Sequence, residues 1–319
     1  MTTPKKIVLA QIPTPLQNIS FAGKSFLIKR DDLTGCELSG NKVRKLEYII
    51  EDAKKQKADI IFTSGGDQSN HARATVIAAK KLGLKTKLFL WGKKSTNPNG
   101  NLFLDIMYGA DIVYLTKKEY YNVNELMLAE RNKLLKKNIN AYVIPSGGST
   151  TVGIWGYINF INELNVQIDL SKIDFIVAAG GSGGTAAGML VGAAMNNLKT
   201  KIYTVNVAYT EERLRKKVIN LAEGCVLDYK LNCKINPDNL VILDGYSKEG
   251  YKKVTPAKIK LIRKFAEATG ILFDPAYTGK AFAAYYENFI LKDKTVKSIF
   301  VHTGGIFGIF NRTKDYLIK

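Results

Sequence analysis

The chain has 319 residues, 46% apolar, 24% charged and 10% aromatic, with a formal charge of +19. Those fractions exclude a disordered or collagen-like chain, and the length implies two domains, each able to bury a core. The charge comes from 39 lysines and 8 arginines, a balance that points to a solvated basic surface rather than to nucleic-acid recognition.

The opening stretch, 1–17, carries two lysines but no long apolar run and no small-residue cleavage site, so it does not read as a secretory signal. From there on, helical periodicity alternates with short β-branched or aromatic runs. A helix is predicted over 41–56, with Val43, Leu46, Ile49, Ile50 and Ala53 on one face and Ser39 as its N-cap. Strand-like runs follow at 60–64, 87–91, 111–115, 141–145, 174–180, 201–207, 240–245 and 298–304. Between them helices are predicted over about 70–82, 119–137, 150–163, 185–197, 210–222, 256–269 and 279–290. Strands separated by helices of this length predict parallel sheets, with ligands beyond the carboxyl ends of the strands. No run approaches the roughly 18 apolar residues of a membrane span. Cys36, Cys225 and Cys233 are scattered, without a CxxC pair, which argues for a reducing compartment and against a disulfide framework or a metal site. A cytoplasmic protein is expected.

Four strand-to-helix turns are rich in glycine: TSGGDQSNHARAT after 60–64, PSGGSTTVG after 141–145, AAGGSGGTAAGM after 174–180, and HTGGIFG at 302–308. Glycine permits close backbone approach, and the helix that follows aims free N–H groups at an anion. Read literally, 181–186 matches the dinucleotide fingerprint G-x-G-x-x-[GA]. A nicotinamide dinucleotide also needs an acid at the end of the next strand, where KIYTVNV carries Asn206 instead. What remains is a cradle for a single phosphate group, made of the 182–185 backbone and the Ser182 and Thr185 hydroxyls. Lys42, in GCELSGNKVRKLEY, falls in the first turn of a helix, where a cation is unfavourable and loses its proton more easily. An imine-forming lysine together with a monophosphate cradle suggests pyridoxal 5′-phosphate (PLP).

The motifs SGNKVRKLEY, SGGDQSNHAR, GGSGGTAAG, LFDPAYTGKA and HTGG, in this order, resemble the D-cysteine desulfhydrase/1-aminocyclopropane-1-carboxylate deaminase family. The resemblance runs from PTPL at 13–16 to HTGG. It implies an α/β, two-domain PLP enzyme of fold type II, tryptophan-synthase β-like, each domain a mostly parallel sheet flanked by helices. Residues 1–47 and 156–319 would form the large PLP-binding domain and 48–155 the small one. It also implies a homodimer acting on a small amino acid, with no nucleic acid and no membrane as partner. Carried over residue by residue, Lys42 would hold the cofactor and move protons at Cα, with Asn41 beside it binding the cofactor's phenolic oxygen or steadying the lysine. Gly181, Ser182, Gly183, Gly184 and Thr185 would hold the phosphate, and Ser69, Asn70 and His71 the substrate carboxylate. Tyr251 and Tyr277 match catalytic tyrosines that face the substrate, although the chain has GYK at 250–252 where the family has GYG.

Two positions separate the branches. The deaminase branch has a glutamate directly after the Tyr277 position and a leucine after the histidine of HTGG; here they are Thr278 and Thr303, both counted with the cofactor-binding residues. A carboxylate at the pyridine nitrogen keeps it protonated and makes the ring a strong electron sink, suited to opening a cyclopropane. A threonine leaves the nitrogen neutral, enough for expelling sulfide. The expected reaction is therefore α,β-elimination of D-cysteine to pyruvate, ammonia and hydrogen sulfide. The alternatives are 1-aminocyclopropane-1-carboxylate deamination, cysteate sulfo-lyase activity, or a non-catalytic ligand- or nucleic-acid-binding protein. Thr150 and the Ile306–Phe307 pair depart from the family pattern and are expected to alter the pocket wall.

Overall fold

The computed structural model describes residues 3–250, 253–295 and 297–317. The chain opens with an antiparallel hairpin, β1 Leu16–Phe21 and β2 Lys24–Arg30, that periodicity alone did not single out. Its two-residue turn places Ala22 (φ 52°) and Gly23 (φ 74°) in the left-handed region, the conformation that joins twisted strands most tightly. There follow α1 Asn41–Lys55, β3 Ile60–Gly66, α2 Asn70–Lys80, β4 Lys85–Trp91, α3 Gly100–Met107 and β5 Asp111–Leu115. Next come α4 Lys117–Tyr121, α5 Val123–Leu135, β6 Ala141–Ile144, α6 Trp155–Gln167, β7 Phe175–Gly180 and α7 Gly184–Met195. The remainder is β8 Lys201–Asn206, α8 Glu211–Asp228, β9 Leu240–Leu243, α9 Pro256–Thr269, α10 Thr278–Tyr285, β10 Ser298–His302 and α11 Thr313–Tyr316.

Among the described residues the strands form two sheets, in the orders β1-β2-β10-β7-β8-β9 and β5-β4-β3-β6. Every pairing except β1–β2 is parallel, as the alternation of strands and helices requires. The larger sheet is buried on both faces. Ile176 and Ala178 join a core with Tyr157, Met189 and Leu214 of α6, α7 and α8. Val177 and Ala179 join an opposite core with Phe265 and Phe282 of α9 and α10. That second core is aromatic: the Phe265 ring lies 4.4 Å from Phe282 and 4.7 Å from Phe273. Such rings bury about 150–250 Å² each, so this face is a rigid floor under the carboxyl ends of β7 and β10. No helix among the described residues is long and apolar enough to cross a membrane.

Three local expectations change. Gly40, not Ser39, is the N-cap of α1; its φ of 89° suits glycine, and a Cβ there would stand 2.9 Å from the Thr303 carbonyl oxygen. The Asn41 N–H donates to that same carbonyl, 3.0 Å away, so the start of α1 is tied to the HTGG turn. The helix predicted over 150–163 begins at Trp155, because Thr150 Oγ1 accepts from the Gly153 N–H and holds the preceding residues in a turn. The helix predicted over 119–137 is two, broken at Asn122.

Candidate active site

The carboxyl ends of β3, β6, β7 and β10 bring the four glycine-rich turns to one cavity of about 230 Å³. Gly65, Ser69, Asn70 and His71 come from the first turn, Ser146 and Gly147 from the second. Gly181, Ser182, Gly183 and Thr185 come from the third, Thr303 and Gly304 from the last. Asn41 and Lys42 reach it from the first turn of α1. The cleft thus lies between the two sheets, where strand ends and helix N-termini converge.

Lys42 opens onto this cavity, and burial pushes its ammonium down to about 8. Among the described residues no carboxylate lines the cavity. Three residues on, Lys45 is also buried, 1% exposed, and its Nζ donates to the Gly147 carbonyl at 3.3 Å and to Ser149 Oγ at 3.5 Å. Burial and the neighbouring Lys42 charge hold Lys45 well below the usual lysine range. The motif reading singled out Lys42 alone; the i, i+3 spacing that sets both lysines on one helical face was the available signal.

Facing these lysines is the start of α7. Gly183 is its N-cap at φ 90°, and Ser182 Oγ lies 2.7 Å from Ser149 Oγ. Ser149 Oγ accepts from the Gly184 N–H at 3.2 Å, and Asn41 Nδ2 donates to Thr185 Oγ1 at 3.1 Å. A Cβ on Gly184 would stand 2.7 Å from Lys45 Nζ, so glycine is what lets the lysine approach the loop. Two buried lysines, a helix N-terminus and two hydroxyls with no carboxylate in the lining form a hole that calls for an anion. This donor set fits the phosphate of PLP, and Lys42 is the lysine that lines the same cavity.

On the opposite side, Ser69 caps α2, its Oγ accepting from the Ala72 N–H at 3.1 Å. A Cβ on Gly65 would stand 2.5 Å from Ser69 Oγ, so β3 can end under the cap only as glycine. Asn70 Oδ1 accepts from Asn101 Nδ2 at 2.9 Å, which ties the turn to α3. The His71 ring is turned inward: Nε2 lies 2.9 Å from Thr63 Oγ1, whose proton goes to the Ile144 carbonyl, so Nε2 carries the hydrogen. Burial and the two lysines hold His71 well below its ordinary value, so the ring is neutral.

Tyr277 and Thr303 line the cavity, whereas Thr278 is fully buried behind Thr303, with the two hydroxyl oxygens 3.0 Å apart. Gly184 also sits behind the lining, and Tyr251 lies outside the described residues. Asp274 shapes this corner: its carboxylate accepts from the backbone N–H groups of Ala276, Tyr277 and Thr278. Neither Thr150 nor the Ile306–Phe307 pair reaches the cavity lining, contrary to expectation. Ile306 is exposed, and Phe307 packs under the Arg73 guanidinium, 4.8 Å from it.

An aromatic wall that motif reading missed completes the site: Trp91 at the end of β4, Tyr120 on α4 and Tyr209 after β8. The Trp91 and Tyr120 rings lie 6.4 Å apart. Asn206, buried at the end of β8, folds the Tyr209 turn: its Oδ1 accepts from the Tyr209 N–H at 3.0 Å and its Nδ2 donates to the Tyr209 carbonyl at 2.6 Å. Asn206 thus shapes the loop and offers no acid to a ribose, in keeping with a monophosphate site.

Comparison with known proteins agrees with this geometry. The family model of the pyridoxal-phosphate dependent enzymes matches residues 7–304. A putative 1-aminocyclopropane-1-carboxylate deaminase of Thermotoga maritima is 38% identical over 314 residues, 97% of this chain and 99% of that one. The bifunctional, mitochondrial D-cysteine desulfhydrase/1-aminocyclopropane-1-carboxylate deaminase of Arabidopsis thaliana is 38% identical, over 95% of this chain and 79% of its own. A crystal structure of an ACC deaminase homologue superposes with a TM-score of 0.89 at 34% identity, covering 98% of this chain and 96% of that one.

Proposed function

Since the chain belongs to the pyridoxal-phosphate dependent enzymes and, within them, to the 1-aminocyclopropane-1-carboxylate deaminase/D-cysteine desulfhydrase family, we propose that it eliminates sulfide from D-cysteine. The overall change takes D-cysteine and water to pyruvate, ammonia and hydrogen sulfide. PLP, when bound, supplies the electron sink that makes the Cα proton acidic.

The chain's own residues divide the remaining work. Lys42 Nζ holds the cofactor and moves the proton at Cα, and burial keeps that amine near neutrality. Lys45, Ser182, Thr185 and the N–H groups at the start of α7 hold the phosphate. The α2 N-terminus, with Ser69 and Asn70, accepts the substrate carboxylate, and His71 adds its backbone N–H rather than its ring. Tyr277 faces the substrate from the large sheet. The division into 1–47 with 156–319 and 48–155, and a homodimeric assembly, belong to the same reading.

The observation that carries the D-cysteine assignment is the Thr278–Thr303 hydroxyl pair, where the deaminase pattern has a carboxylate and a leucine. A second feature supports a thiol over a sulfonate. Once Lys42 is engaged with the cofactor, no other lysine or arginine among the described residues lines the cavity. A buried sulfonate without a partner cation is costly, whereas a thiol rests against an aromatic wall. The test is a product panel on the PLP-loaded protein: sulfide from D-cysteine, 2-oxobutanoate from 1-aminocyclopropane-1-carboxylate and sulfite from cysteate. Sulfide formation should dominate; dominant 2-oxobutanoate or sulfite would overturn the assignment.

A further inference from the structure

Arg73 closes the SGGDQSNHAR motif but carries no role in the sequence reading and does not line the cavity, yet it is 1% exposed near the start of α2. A buried guanidinium is retained only where its planar fork of donors is used. Here NH1 donates to the Glu37 carbonyl and NH2 to the Ser39 carbonyl at 3.0 Å, while the guanidinium carbon lies 4.8 Å from the Phe307 ring centre. Glu37 and Ser39 precede Lys42 by five and three residues, in the segment that Thr303 anchors through the Asn41 N–H. Phe307 follows the HTGG turn at the end of β10. One side chain of α2, the helix after β3 of the four-stranded sheet, thus grips both the segment before α1 and the segment that follows β10 of the six-stranded sheet.

A second tie runs beside it. The Asn101 N–H donates to Gln68 Oε1 and its Nδ2 to both the Gln68 carbonyl and Asn70 Oδ1. A Cβ on Gly100 would stand 2.5 Å from the Phe307 carbonyl oxygen, so the start of α3 also rests on the segment Arg73 grips. One turn along α3, Asp105 is fully buried with neither carboxylate oxygen hydrogen-bonded, and it attracts the Arg73 charge. Burial pushes the Asp105 carboxyl well above the usual carboxylate range, the Arg73 charge opposes that shift, and the acid takes none of the donors that Glu37 and Ser39 use.

We infer that Arg73 is a positioning residue for the reaction: it holds the carboxylate-binding end of α2 and the Lys42-bearing end of α1 in one frame across the cleft. The inference rests on the roles proposed above for Lys42 and for Ser69–His71. Arg73 lies one helical turn from Asn70, so movement of its grip displaces the substrate against the amine that moves the Cα proton. A displacement of about 1 Å between reacting groups costs on the order of 100-fold in rate, whereas binding of the carboxylate to the same helix end changes little.

The experiment compares the parent with Arg73→Lys and Phe307→Leu, as full-length PLP-loaded proteins. It measures kcat, KM, the midpoint pH of the visible cofactor band and the unfolding temperature. Lysine keeps the charge but lacks the planar two-nitrogen fork, so kcat should fall about 10- to 100-fold with KM changed by less than about threefold. The band midpoint should move with it, because that band reports the setting of Lys42. Phe307→Leu should shift both in the same direction by less. A folded Arg73→Lys protein with parental kcat and band midpoint would overturn the inference, as would an activity loss that merely matches a loss of folded protein. Should Arg73→Lys not fold, an unchanged Phe307→Leu protein overturns it alone. A parent inactive on all three amino acids would defeat the proposed reaction, while the band midpoints would still decide the role of Arg73.

Discussion

Thr278 Oγ1 lies 3.0 Å from Thr303 Oγ1 and 3.0 Å from the Gly304 carbonyl oxygen, and of these two threonines only Thr303 faces the cavity. Each hydroxyl has one proton. The Gly304 carbonyl can only accept, so it takes the Thr278 proton, and Thr303 then donates to Thr278 and offers lone pairs to the cavity. This wall is neutral. A carboxylate in the same place would fix a negative charge there.

Replacing the pair should therefore move the chemistry. Thr278→Glu with Thr303→Leu is expected to lower sulfide release from D-cysteine by about tenfold or more, from the lost hydroxyl contact and the changed ring charge. The same double variant should gain measurable 2-oxobutanoate formation from 1-aminocyclopropane-1-carboxylate. Initial rates on both substrates check this. Parental specificity in the folded double variant would show that the hydroxyl pair does not set the branch.

Lys42 should be reactive without its cofactor. Its ammonium is pushed down to about 8 by burial, so the neutral amine accumulates as pH rises towards 8. The rate at which apoprotein captures PLP should climb across pH 6–8 and level off above that, which stopped-flow absorbance follows. Lys42→Ala should lose the visible band and about 10³-fold or more of the activity. Capture rates flat across the same pH range would contradict the assignment of the amine.

Lys45 should act on cofactor affinity. Lys45→Met keeps the stem and removes the charge beside the phosphate loop, so PLP affinity should fall about 10- to 100-fold, the value of one or two charge-assisted hydrogen bonds. Equilibrium dialysis gives the constant. At saturating PLP kcat should recover to within a few-fold, which separates Lys45 from Lys42.

Acid stability should follow Glu163. Arg44 places its guanidinium against Asp31 at 2.8 Å and Glu163 at 2.8 Å, and Lys29 donates to Glu163 at 2.6 Å. These cations hold the Glu163 carboxyl at about 2, below its ordinary 4.5. A depressed folded-state value contributes stability that is fully present above the unfolded value and lost as pH falls through the folded one. Stability should therefore decline between about pH 5 and pH 2, by at most about 3 kcal/mol from this group. Denaturant unfolding of Glu163→Gln against the parent should show a shallower decline over that window. Arg44→Met leaves Asp31 without its guanidinium partner and Glu163 with Lys29 alone, and should cost about 3–5 kcal/mol at neutral pH.

Much of this site was legible before any coordinates. Lys42, Ser69 and the 181–185 loop stood out because of the glycine-rich turns and helix starts around them, and all of these except Gly184 line one cavity. Lys45 and Arg73 stand inside the SGNKVRKLEY and SGGDQSNHAR motifs, but their contacts were not legible, since each looks like one more cation on a helix until its partner segment is brought against it. Ser39 misled because a serine before a helix ordinarily caps it; the contact of Gly40 with Thr303, across more than 260 residues of chain, decided otherwise. The β1–β2 hairpin was missed because half-buried strands with mixed polarity carry a weak period-2 signal. The aromatic wall was hidden for the same tertiary reason: Trp91, Tyr120 and Tyr209 come from three separate segments and meet only across the cleft.

The central claim is tested most directly by sulfide release from the PLP-loaded protein, with D-cysteine and L-cysteine compared at equal concentration. Rapid release from the D-isomer, with little from the L-isomer, is the predicted result. No sulfide from either isomer, with the cofactor band present, would contradict it and leave a PLP enzyme of this family with a different amino acid as its substrate.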